Sequence, residues 1–130
     1  MKNCSLTICI ARGLLLIVGI VAFSGSGFAE DRDKIMAQKL AASQSILAAI
    51  TTEDFSMLEK NADALLDLAK QQWVESPTPD YRAHLKDFWI TLEGISDKAK
   101  AKDIDGATLG YVQMTLSCVK CHKYLRHNSK

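Results

Sequence analysis

From Glu30 onward the apolar residues recur at alternating steps of four and three, and this rhythm is broken at only three places. Steps of four and three keep one face of an α-helix turned to a core, whereas a half-buried strand would alternate every second residue. The first stripe is Met36, Leu40, Ser43, Leu47 and Ile50, predicting a helix over roughly 32 to 50 with Asp31 or Asp33 as N-cap. Thr51-Thr52-Glu53-Asp54 supplies a capping hydroxyl and early negative charge for the second stripe, Phe55, Leu58, Ala62, Leu65, Ala69 and Trp73. Glu75-Ser76-Pro77-Thr78-Pro79-Asp80 holds both prolines of the chain; it stops the second helix at about Gln72 and presets the third.

The third stripe runs Tyr81, Leu85, Phe88, Leu92, Ile95, Ala99, and the turn Lys102-Asp103-Ile104-Asp105-Gly106 offers aspartates to cap the fourth helix. That helix carries Ala107, Tyr111, Met114, Cys118, Cys121 and Leu125. Four helices of about 18 to 22 residues with short connections predict an all-α, antiparallel up-down-up-down four-helix bundle. The length, 130 residues, fits one domain and excludes a multidomain enzyme.

Residues 1–29 have a different character. Lys2 and Arg12 precede the apolar run Gly13 to Phe23, and Gly27-Phe28-Ala29 ends in the small-x-small pattern that signal peptidase accepts. The run is shorter than the roughly 20 residues of a membrane-spanning helix. We read residues 1–29 as a cleaved export signal that takes Cys4 and Cys9 with it, and residues 30–130 as the mature domain. Without Lys2 and Arg12 the 16 basic residues become 14, against 15 acidic ones, a balance that does not favour nucleic-acid binding. Export also delivers Cys118 and Cys121 to an oxidising compartment, where a bare thiol pair does not persist.

Those two cysteines lie in Cys118-Val119-Lys120-Cys121-His122, the CxxCH pattern of covalent c-type haem attachment. Two thiols about one helical turn apart can each add to one of the two vinyl groups on a haem edge, and the adjacent imidazole of His122 can then reach the iron. A thioredoxin-like pair would want a βαβ setting, and a closed zinc site needs four ligands where the mature chain offers two cysteines and three histidines.

A CxxCH close to the C-terminus on the last of four helices resembles the class II c-type cytochromes, the cytochrome c prime group, over all of residues 30–130. The family pattern often continues with an aromatic three residues and a basic residue four residues after the histidine. Arg126 matches the basic position, while the aromatic, Tyr124, comes one residue early. The resemblance implies a left-handed bundle, one haem c, a periplasmic location and a haem that transfers electrons or binds a small gas; it also implies a homodimer paired through the first two helices.

The second axial position is the open question. Met114 lies eight residues before His122 on the same helix, about 12 Å along the axis, so it cannot coordinate opposite it. Met57 belongs at the far end of the bundle. Met36 leads the first helix's stripe at the expected haem end, and some members of the related family use a methionine of the first helix in this way. Its thioether would give six-coordinate, low-spin iron suited to electron transfer; if it only packs, the iron is left five-coordinate. His84 is the rival, one position off its stripe, and Trp73, Tyr81, Phe88, Trp89 and Tyr124 are candidates to wall the haem.

The expected function is therefore that of a monohaem periplasmic electron carrier, with Cys118, Cys121 and His122 holding the haem and Met36 completing the iron. Alternatives are a five-coordinate protein binding NO or CO, and a haem subunit of a larger redox complex. No distal His and Arg pair of the peroxidase kind stands out, so no enzymatic activity is expected. Assigning charges to the two bundle ends makes the haem end mildly basic and the other end acidic, which would orient an acidic redox partner.

Overall fold

The computed structural model describes residues 27–76 and 78–128, and the helices break where capping chemistry says they should. They are α1 (Gly27–Thr52), α2 (Phe55–Glu75), α3 (Pro79–Lys100) and α4 (Ile104–Asn128), packed against one another, with no strand among the described residues. None of these helices is long and apolar enough to cross a membrane. The packing divides the chain after Asp33, so the first turns of α1 belong to an N-terminal unit and everything below concerns the unit from Lys34 onward. Up to Ser26 the expected export segment lies outside the described residues. α1 begins at Gly27, so Asp31 and Asp33 lie inside the helix instead of capping it.

Two of the three connections are built alike. Glu53 (φ 54°) and Lys102 (φ 56°) adopt the left-handed conformation. The next residue in each case, Asp54 or Asp103, donates its N–H back to Ala49 or Lys98 at 2.9 Å, which satisfies a terminal helix carbonyl. The same aspartate then caps the following helix: Asp54 accepts from the Met57 N–H and Asp103 from the Gly106 N–H, both at 2.9 Å. The expected hydroxyl cap of α2 is thus a carboxylate, because Thr51 and Thr52 donate back to the Ala48 carbonyl. Hydrogen bonding from Lys98, 2.8 Å away, and from the Gly106 N–H holds the Asp103 carboxyl below its ordinary range. In the third connection Thr78 caps α3 by accepting from the Tyr81 N–H, with Pro79 as the first helical residue.

The core follows the expected stripes on α2 and α3. Leu58, Ala62, Leu65 and Ala69 form one core with Phe88, Leu92, Ile95 and Ala99 and with Ala107 and Met114 from α4, and Leu85 is buried as well. Burying a leucine, isoleucine or methionine side chain fully contributes about 1.5–3 kcal/mol, and Ile46, Leu58, Leu65, Leu92, Ile95 and Met114 are all in that state. Contacts between α2 and α3 pair Trp73 with Trp89, Lys70 with Glu93, Asp63 with Ser96 and Glu59 with Lys100. The two ion pairs are exposed and add little.

Two expectations shift. On α1 the buried residues are Ile46 and Ala49, with Ala42 and Ile50 packed against them, whereas Leu40 and Leu47 are exposed. The segment around Ile46–Ile50 is apolar or small on nearly every side, so several stripes fit it equally. On α2 the stripe ends at Gln72 and not at Trp73, which is 38% exposed. Gln72 stays inside because its Oε1 accepts from the Lys39 ammonium.

α3 and α4 approach closely at Gly110, where an added Cβ would lie 2.7 Å from Cγ1 of Ile95. Gly110→Ala is expected to destabilise by about 1–3 kcal/mol, because a fully buried isoleucine must give way. Gly94, with nothing within 4 Å of an added Cβ, provides the contrast. Gly94→Ala is expected to stabilise by about 0.5–1 kcal/mol through backbone entropy. Urea unfolding of both variants checks the pair.

Candidate functional site

The last turns of α4 carry Cys118, Cys121 and His122, and helical geometry sets the two cysteines about one turn apart. Arg126 and His127 follow in the final turn, where positive charge suits the negative end of the helix dipole. Both cysteines are half-buried and His122 is exposed. Burial pushes both thiols above their ordinary range, and the nearby Lys39 ammonium pulls them part of the way back.

A cavity of about 460 Å³ opens between α1, α3 and α4. From α1 it is lined by Met36, Lys39, Leu40 and Ser43, from α3 by Leu85 and Phe88, and from α4 by Tyr111, Met114, Thr115, Ser117, Cys118 and His122. Its volume falls within the roughly 300–1,000 Å³ of small-molecule and cofactor sites. The lining is mostly apolar, and two of its hydroxyls are already engaged: Thr115 donates to the Tyr111 carbonyl and Ser117 to the Gln113 carbonyl.

The structure brings Met36, Cys118 and His122 to this one cavity from positions more than 80 residues apart in sequence. Cys121, on the same helix, does not line it, although Lys39, which does, acts on its thiol. His84 does not line it; its ring packs on Tyr124 with centroids 4.9 Å apart, and the Tyr124 hydroxyl lies 3.5 Å from that of Thr78. Among the aromatics expected to wall a haem only Phe88 lines the cavity. Trp73 and Trp89 instead meet edge to face at 6.5 Å, with Lys70 over Trp89 and Arg82 near Trp73. Tyr111 takes the aromatic place on α4.

Lys39 is the cavity residue that sequence reasoning missed. A lysine on a helix reads as solvent-facing, yet this one is half-buried, bonded to Gln72 on α2 and 5.1 Å from the centre of the Phe88 ring. The available signal was its isolation: no other charged residue occurs between Lys34 and Glu53.

No known family model matches the sequence, and a search of the curated proteins finds no relative. The site is therefore read from its own chemistry. Among the described residues no three His, Cys, Asp or Glu side chains come together so as to hold a bare metal ion. A haem iron, with four ligands supplied by the porphyrin, needs only one or two from the chain.

Proposed function

We infer that this chain is a monohaem c-type cytochrome of the four-helix class and acts as an exported, periplasmic electron carrier. The observation that carries the reading is that Cys118 and His122 of the CxxCH segment line the same apolar cavity as Met36. The residues fit the group: two thiols at the right spacing, an adjacent imidazole, a thioether from another helix and apolar walls for a flat ring. The antiparallel bundle topology is supported by the α2–α3 pairs, in which later residues of α2 meet earlier residues of α3.

Cys118 and Cys121 would hold the haem as thioethers, each sulfur bonding one vinyl carbon with its hydrogen going to the other, an addition that needs no oxidant or reductant. The resulting thioethers cannot close into a disulfide, which suits an oxidising compartment. His122 would offer its imidazole and Met36 its thioether to the iron, and Leu85, Phe88 and Met114 would keep water from the ring. The bound haem supplies one-electron chemistry at its iron. The resemblance to the cytochrome c prime group favours the same arrangement and adds a homodimer as its assembly.

The test is the mass and spectrum of the protein exported from cells that attach haem to CxxCH chains. The expected product is the chain from Glu30 onward plus one haem that survives acid denaturation, with a low-spin ferrous spectrum. An unmodified polypeptide would overturn the reading, and a high-spin spectrum that shifts at once with carbon monoxide would replace electron transfer by gas binding.

A further inference from the structure

Lys39 has no obvious place in a cavity made to hold an apolar ring. Its side chain enters the wall three residues after Met36, on the same helix. Its ammonium donates to the Oε1 of Gln72, a side chain only 6% exposed, and stands over the face of Phe88 at 5.1 Å. An amide oxygen and an aromatic face both favour a cation, and neither carries a formal charge to neutralise it. Burial moves its pKa down from the ordinary lysine value, and the Cys121 and Cys118 sulfurs lie close enough to act on it. Sulfur in a thioether bears no proton and no negative charge, so an attached haem would leave the cation near its thioether edge with no counter-charge from either sulfur.

We propose that Lys39, held by Gln72 and Phe88, is an internal positive charge that raises the reduction potential of the haem joined to Cys118 and Cys121. The proposal rests on the haem reading above. Ferric haem carries one more positive charge than ferrous haem, and a fixed cation in a poorly polarisable surrounding opposes that extra charge. The carboxylates of a haem lie on the pyrrole rings away from its vinyl groups, so they do not cancel a charge placed at the thioether edge. Lys39 here is a tuning residue: it leaves the iron's ligands unchanged and alters the relative stability of the two oxidation states.

The experiment compares haem-loaded wild type, Lys39→Gln and Lys39→Arg by spectroelectrochemical titration, with intact mass and absorption spectra on the same samples. Lys39→Gln removes the charge; at a fixed electrode potential its ferrous-to-ferric ratio is expected to fall at least tenfold, a midpoint lowered by about 59 mV for one electron. Lys39→Arg keeps the charge and is expected to stay within about twofold of wild type, and the absorption bands of all three should coincide. An unchanged midpoint in haem-loaded Lys39→Gln overturns the proposal alone. Equal shifts in both variants overturn it in favour of a packing role, and loss of an axial-ligand band in Lys39→Gln overturns it in favour of direct ligation. A wild-type chain without covalent haem overturns the haem reading and this proposal together.

Discussion

If the proposed haem attachment holds, exchanging both Cys118→Ser and Cys121→Ser is expected to abolish covalent haem while leaving the helices in place. Serine is close to cysteine in size, and neither thiol is fully buried. The structural cost is therefore small, about 1 kcal/mol or less for each half-buried site. The chemical loss is complete, because a serine hydroxyl does not add to a vinyl group under conditions in which a thiol does. Acid extraction separates the outcomes: wild type keeps its colour in the protein fraction, and the double variant releases whatever haem it has gathered. Circular dichroism establishes that the variant is folded. Covalent colour retained by the double variant would mean that other residues hold the group.

Met36→Ala is the second large expected effect. Met36 is half-buried on α1, so losing its side chain costs about 1–2 kcal/mol, less than the truncation of a fully buried methionine. Its consequence at the iron is greater. The ferric protein is expected to lose its sulfur-to-iron charge-transfer band, turn high-spin, and bind carbon monoxide at a site that was previously filled. The midpoint potential should fall by on the order of 0.1–0.2 V, a fraction of the roughly 0.8 V that axial ligands command. A variant with the spectrum and potential of wild type would show that Met36 only packs, and gas binding would then become the stronger account.

The sequence made the helices of the packed unit legible because its punctuation is chemical: Asp54, Thr78-Pro79 and Asp103 each stand where a helix needs a cap. The α2 and α3 stripes were equally readable, since charged or polar residues flank Leu58–Ala69 and Leu85–Ala99 and leave one apolar face. α1 was less so. Around Ile46–Ile50 alanine and leucine surround the axis, and periodicity cannot choose among equivalent faces. Cys118, Cys121 and His122 are local in sequence, so their spacing alone declares them. Lys39 was hidden because what makes it unusual, Gln72 and Phe88, lies 33 and 49 positions away and is brought near only by packing. His84 was considered for the iron on position along the chain, but its contact with Tyr124 depends on the rotation of α3 about its own axis, which a linear reading does not fix.

The paired turns at Glu53-Asp54 and Lys102-Asp103 bear on the order of events during folding. Each joins two helices over very few residues, so little loop-closure entropy opposes their pairing, and early local pairing is expected. The cavity draws on α1 from one pair and on α3 and α4 from the other, so it is complete only once the two pairs are packed together. On the haem reading, the Cys118–His122 segment would be open before docking shields the thiols and makes them less acidic, and a porphyrin attached then would become part of the surface on which the two halves meet.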